Sequence, residues 1–271
     1  MPPTLEEDLA QDLDQDLALA LRLADEADAI SMRWFGAGSI DFEDKADGSP
    51  VTEADPEVER RLLAIVAAER PGDAFLGEEV GAHGSGGRRW IVDGIDGTVV
   101  FIRGGTGWGT QIALEVDGEV VIGVSTSPAF GWRWWARRGA GAWRQRTGTD
   151  EPPLPLHVSA RAELPGASFS TIPPVDRLTG AGRVAAERLL DHATYVVPEQ
   201  HCALMVAEGL VDTSHQNSGG PWDFAALAVI VVEAGGRFSD TDDIVTIEGG
   251  GPAVYSNGLL HAATLAAIDG A

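Results

Sequence analysis

Five acidic residues of this 271-residue chain stand out by their context, and two of them, Asp93 and Asp96, can turn toward one point. Asp93 and Asp96 lie on either side of Gly94-Ile95 in the run Trp90-Ile91-Val92-Asp93-Gly94-Ile95-Asp96-Gly97-Thr98. Glu78 follows a short apolar run and a glycine, Asp55 opens one amphipathic segment, and Asp223 opens another. Carboxylates this close repel, and one tends to take up a proton unless a cation lies between them. A divalent cation removes that conflict, and Mg2+ favours a few carboxylates together with waters and phosphate oxygens. Gly97-Thr98 precedes the helical turn Val99-Val100-Phe101, where free backbone amides can hold phosphate oxygens and the Thr98 hydroxyl can bond a water. Each acid alone also fits a turn, a surface or a helix start. Their joint pattern points to metal-assisted chemistry on a phosphate.

The elements that must position these groups can be read in outline. Leu5, Leu9, Leu13, Leu17 and Leu21 recur every four residues and predict a first helix with one apolar face; Thr4 and Glu7 fit a capping box at its start. A second helix is expected over 54–68, stopped by Pro71-Gly72-Asp73. Ala74-Phe75-Leu76 is a short strand leading into Glu78, and Trp90-Ile91-Val92 is a strand that ends at Asp93. The glycine-rich stretch Gly81–Gly87 is expected as a mobile loop between them. The runs 109–116 and 119–125, separated by Asp117-Gly118, form a strong hairpin signal. Strand is expected to continue through Trp132–Trp135 and around Trp143. Beyond a proline-rich link at 151–156 the pattern alternates: strand 167–170, helix 182–192, strand 194–197, helix 203–208, helix 222–234, strand 254–256, and a last helix from about Leu259. This is an α/β chain with helices layered on sheets. Residues 1–150 are expected to carry most of the acids and 151–271 to carry Asp223, the two parts sharing one cleft.

Composition excludes some functions. Asp and Glu number 42 against 19 Lys and Arg, a formal charge of −23. A chain this acidic repels nucleic-acid phosphates and anionic lipids, so neither a nucleic-acid nor a membrane partner is expected. It needs a local positive charge to bind an anionic substrate, and clustered carboxylates holding cations supply one. Cys202 is the only cysteine, which leaves no intramolecular disulfide and points to the cytoplasm. The single cysteine and the lack of a histidine cluster argue against structural zinc.

Four segments together resemble the inositol monophosphatase family: Asp47-Gly48-Ser49-Pro50-Val51-Thr52-Glu53-Ala54-Asp55, Gly77-Glu78-Glu79, the 90–98 run, and Trp222-Asp223-Phe224-Ala225-Ala226 leading to Glu233-Ala234-Gly235-Gly236. The run 123–143 and Val206-Ala207-Glu208-Gly209 are most similar to the bacterial histidinol-phosphate phosphatase branch. The resemblance implies alternating helix and sheet layers (αβαβα), a homodimer, and a requirement for two or three Mg2+ ions, often with Li+ inhibition. It implies metal ligation by Glu78, Asp93, Asp96, Asp223 and the Ile95 carbonyl. Thr98 and Asp55 would position and activate the attacking water, with Glu78 in the catalytic set, and the Gly97 and Thr98 amides would bind phosphate. The implied reaction is hydrolysis of a small phosphate monoester by direct in-line attack of water.

The chain departs from the family pattern where selectivity and loop stiffness are set. Gly94 stands where the family usually has proline, and Val99-Val100 replaces a polar pair. Where the branch has a Gly-Asp followed by aromatics, this chain has Pro198-Glu199-Gln200-His201-Cys202. Glu199, Gln200 and His201 are the expected substrate-binding residues: Glu199 for an amine, Gln200 or His201 for hydroxyls. His215 and Asn217 are candidates for the same cleft. A histidinol phosphate-like substrate is favoured. The alternatives are a sugar, cyclitol or nucleoside phosphate from a specialised pathway, non-hydrolytic chemistry on a phosphorylated substrate, or binding alone.

Overall fold

The protein is described here by a computed structural model covering residues 5–36, 40–45 and 48–270. The Thr4–Glu7 capping box and Asp47 fall at least partly outside these residues. Helix α1 (Leu5–Phe35) buries Leu19, Ala20, Leu23, Ala24, Ala27 and Ile30 completely or nearly so. Leu13, Leu17 and Leu21 are only half-buried beside that stripe. The correction follows from helix geometry: a spacing of four drifts about 40° per step, so a four-residue leucine ladder winds off the buried face. Asp16 of α1 pairs with Arg70 and Arg88, and Asp28 with Arg133, tying the helix to the elements beneath it.

The hairpin β1 (Phe42–Asp44) and β2 (Pro50–Thr52) leads into α2 (Ala54–Glu69). Then come β3 (Ala74–Gly77), β4 (Gly81–His83), β5 (Arg88–Asp96) and the short α3 (Thr98–Ile102). The strands β6 (Gly109–Val116), β7 (Glu119–Ser127), β8 (Trp132–Arg137), β9 (Ala142–Arg146) and β10 (Leu154–Pro155) complete an eight-stranded sheet ordered β10-β9-β8-β7-β6-β5-β3-β4. Only β3 and β5 pair in parallel within it. Asp117 and Gly118, both at positive φ (51° and 84°), turn β6 into β7 as the Asp-Gly signal required. Two expectations are corrected. The stretch taken for a loop begins with β4, which pairs back on β3, and the proline-rich link contributes the edge strand β10. Proline is tolerated there because an edge strand has a side with no ladder partner.

The second sheet, ordered β12-β11-β13-β15-β14, is built from β11 (Ser168–Ile172), β12 (Thr194–Tyr195), β13 (Thr213–Gln216), β14 (Arg237–Asp240) and β15 (Ala253–Ser256). Strands β13 and β14 were not foreseen; they are four residues each, and β13 (Thr213-Ser214-His215-Gln216) is buried yet entirely polar. Helices α4 (Gly180–Leu190) and α7 (His261–Asp269) cover its outer face. Helices α5 (Cys202–Ala207) and α6 (Pro221–Glu233) lie between the two sheets, while α1 and α2 cover the far side of the first. The result is five layers, αβαβα. Helix α6 is apolar around its circumference, with Phe224 through Val231 buried, as a helix sandwiched between two sheets must be. It lies so close to β7 that a Cβ on Gly123 would collide with Ala226. Truncating Ile230, fully buried at the centre of this layer, to alanine would cost roughly 2–5 kcal/mol.

Candidate metal centre

Strands β3 and β5 are parallel neighbours in register Gly77 to Val92, so Glu78 and Asp93 leave the sheet on the same side. The pairing of β5 with β6 is interrupted between Asp93 and Asp96, and the strand continues through that irregularity instead of stopping at Asp93 as expected. Ile95 is buried against Ala54, Phe101 and Trp108, which anchors the middle of the irregularity while an aspartate flanks each side. The first turn of α6 delivers Asp223 from the opposite layer. Oxygens of Asp93, Asp96 and Asp223 all lie within 4.8 Å of one another. Each acid is held from behind. The Ile95 amide donates to Asp93 Oδ1 (2.9 Å), the Gly220 amide to Asp223 Oδ2 (2.6 Å), and Gln111 Nε2 to Asp96 Oδ2 (3.0 Å).

Glu78 stays outside this trio. Lys45 donates to its Oε1 at 2.8 Å and also pairs with Glu79. Burial opposes a charged ammonium, but its bonds to the two glutamates hold Lys45 above its ordinary pKa. Burial pushes Glu78 upward despite Lys45. Burial, reinforced by Glu78, Asp96, Asp223 and Glu59, pushes Asp93 well above the ordinary carboxylate range. Asp223 is pushed up to about 7 by burial and then by Asp96. This crowding of partly desolvated carboxylates is the charge imbalance that a hard divalent cation relieves, so the donor set fits Mg2+.

Asp55 faces the same corner from α2. Its Oδ2 accepts from the Thr52 amide (3.0 Å) and hydroxyl (2.6 Å), while burial pushes its pKa up. The Thr98 hydroxyl lies 3.2 Å from Asp55 Oδ1 and 3.0 Å from the Ile95 carbonyl oxygen. One hydroxyl proton serves one acceptor at a time, so Thr98 keeps lone pairs free to accept from a water. Gly97, at φ 81°, makes the left-handed turn into α3. The Gly97 and Thr98 amides have no protein acceptor among the described residues.

The 199–201 segment divides three ways. Glu199 is exposed. Gln200 is buried and donates to Glu208 (3.0 Å), which also accepts from Trp134 Nε1 (2.6 Å) and pairs with Arg144. His201 caps α5, its Nδ1 accepting from the Ala203 amide (3.2 Å). That bond assigns the ring proton to Nε2, which lies 4.0 Å from Asp96 Oδ2. Burial lowers the pKa of His201, which keeps the ring neutral. His215 and Asn217, by contrast, line a cavity of about 680 Å³ beside α4 and α7 whose lining includes none of the clustered acids.

Three site residues escaped the sequence reading. Lys45 is the only lysine in the chain, a signal available in the sequence. Gln111 is a lone amide within the apolar β6 run. Glu59 lies four residues after Asp55 on α2, hence on the same helix face; it is fully buried, and burial pushes it up to about 7.

Comparison with known proteins places this geometry. The sequence model of the inositol monophosphatase family matches residues 12–270. A histidinol-phosphatase of Mycobacterium tuberculosis is 41% identical over 263 residues, covering 94% of this chain and 98% of that one. A Streptomyces griseus protein named glucose-1-phosphate thymidylyltransferase is 42% identical, covering 84% and 87%. The solved Thermotoga maritima IMPase superposes with a TM-score of 0.79 at 27% identity, covering 95% of this chain and 97% of its own.

Proposed function

The chain belongs to the inositol monophosphatase family, whose members are metal-dependent phosphatases, and on that premise we propose that it hydrolyses a small polar phosphate monoester with Mg2+ held among Asp93, Asp96, Asp223, Glu78 and the Ile95 carbonyl. The observation that carries this reading is the convergence of three aspartates, from both halves of the chain, within 4.8 Å. Two or three bound ions would neutralise the phosphate and lower the pKa of the attacking water. The Thr98 hydroxyl would accept a hydrogen bond from that water while donating its own hydrogen bond to Asp55, which would orient the water's lone pair toward phosphorus. The Gly97 and Thr98 amides hold the phosphate oxygens. The parts 1–150 and 151–271 share this cleft, and the enzyme acts as a cytoplasmic homodimer; light scattering that returns the mass of one chain overturns the dimer.

Histidinol phosphate is the favoured substrate, supported by the Mycobacterium tuberculosis relative and by exposed Glu199, which can pair with an amine. A sugar or cyclitol phosphate is the second reading. His201 presents an N–H near Asp96, and such a donor recognises a hydroxyl oxygen and cannot accept from an ammonium. The activity named for the Streptomyces griseus relative concerns a sugar 1-phosphate. The deciding measurement is phosphate release, with Mg2+ and with EDTA, from histidinol phosphate, inositol phosphates, hexose phosphates and nucleoside monophosphates. Mg2+-dependent release supports the reaction, and the preferred compound selects between the readings. No release from folded, metal-loaded protein overturns the proposal in favour of altered chemistry or binding alone.

A further inference from the structure

Glu59 is a fully buried carboxylate with no cationic partner among the described residues. Among the described residues its hydrogen-bond partners are all backbone amides. Oε2 accepts from Glu79 N and Val80 N, both at 2.9 Å, and Oε1 accepts from Gly94 N at 3.3 Å. These amides belong to two separate segments, one just past the end of β3 and one in the irregular part of β5. One follows Glu78 and the other follows Asp93. A single side chain from α2 thus grips the main chain immediately after each of two expected metal ligands.

Two glycines make room for that grip. A Cβ on Gly77 would run into Glu59 Oε2, and a Cβ on Gly94 would stand 2.6 Å from the Asp55 carbonyl oxygen and 3.1 Å from Glu59 Cγ. The Gly94 amide is also a donor that proline would lack. Burying a carboxylate against amides alone is a poor way to stabilise a fold, because the desolvation cost is only partly offset by the bonds. It is an effective way to set the spacing of two loops.

We propose that Glu59 is a positioning residue that fixes the separation of Glu78 and Asp93 and thereby sets the affinity of the site for its divalent cation. The inference rests on the reading of those two residues as ligands. It acts through the backbone, so its effect falls on cation binding and not on the saturated rate. In Glu59→Gln the amide oxygen can keep the Glu79 and Val80 bonds, while the new NH2 faces the Gly94 N–H and releases the Asp93 side.

The test is Mg2+ titration by calorimetry on the purified full chain, with turnover measured at saturating Mg2+. Glu59→Gln is expected to weaken Mg2+ binding about 10–100-fold and to recover most of kcat at high Mg2+. Gly77→Ala, which displaces the carboxylate without altering its charge, is expected to weaken binding similarly. In a Glu59→Ala background the same glycine change is expected to have little further effect. Unchanged Mg2+ affinity in Glu59→Gln overturns the inference, and so does a Gly77→Ala effect of equal size in both backgrounds. If Glu59→Gln does not fold, the glycine pair still decides the matter. Wild-type protein that binds no Mg2+ would instead defeat the underlying site reading.

Discussion

The strand-end corner and the 199–201 segment both reach Asp96, and they are built by opposite means. In the corner, main-chain donors steady most of the acids: Ile95 N for Asp93, Gly220 N for Asp223, and Thr52 N for Asp55. In the segment, the restraint on Gln200 is a network of side chains, running from Gln200 to Glu208 and on to Trp134 and Arg144. Every residue type except proline supplies a backbone N–H, so these main-chain bonds depend little on the side chains around them. A side-chain network changes whenever one member changes. On the proposed reading, the corner carries the reaction and the segment sets selectivity.

The severest challenge to that division is Asp93→Asn. It removes the charge while keeping an oxygen for the Ile95 amide. Activity is expected to fall by about 10³-fold, the scale of losing one preorganised electrostatic group. Thermal unfolding is expected to show no loss of stability. Retained turnover would mean that the corner does not hold the metal.

A second challenge uses the same corner without its cation. The folded pKa of Asp223, about 7, lies far above that of an unfolded aspartate, near 4. Its stability contribution is therefore complete below about pH 4 and is lost as pH rises through about 7. His215 and His261, both pushed down to about 4 by burial, act in the reverse sense. Their contribution is lost only as pH falls below about 6.5. Between pH 6.5 and 8 in EDTA, stability should decline because of the carboxylates. Asp223→Asn is expected to raise the metal-free melting temperature at pH 8 by roughly 5 °C, equivalent to about 2 kcal/mol. The same variant should lose the stabilisation that Mg2+ gives wild type. A lower melting temperature would mean that the acids are not in conflict.

Legibility in the sequence follows the same division. Asp93, Asp96 and Asp223 could be picked out because their chemistry restricts residue type and their spacing restricts position. Helix α6 and the β6–β7 hairpin were legible from an apolar run and an Asp-Gly turn. Strand β13 was not, because its four residues are all polar and carry none of the apolar patterning that marks a buried strand; their burial comes from tertiary packing that local patterning does not encode. Glu59 was not legible, because it is a polar position among apolar ones on a helix and nothing local reveals which chain segment packs over it. His215 looked close to the site along the chain, but it faces the opposite side of the second sheet.

The segment can be challenged in turn. His201→Asp keeps a good cap for α5 and replaces an N–H donor with an acceptor. The ratio of kcat/KM for an amine-bearing phosphate over a neutral polyol phosphate is expected to rise about 10-fold, as one hydrogen bond to a charged group allows. An unchanged ratio would remove His201 from substrate recognition and leave Glu199 as the segment's contact.

Gln200 supplies the finest distinction within the segment. Its buried amide is turned toward Glu208, so one of its two donors is already engaged within the protein. Gln200→Ala should therefore cost about 1 kcal/mol of stability, the worth of one buried hydrogen bond, with KM and kcat changed less than about 2-fold. Glu208 keeps Trp134 and Arg144, which prevents a larger loss. A KM rise of about 10-fold, the scale of one lost substrate contact, would mean that the side chain leaves Glu208 when substrate binds. The network would then be part of the recognition surface, and the boundary between corner and segment would have to move inward to His201.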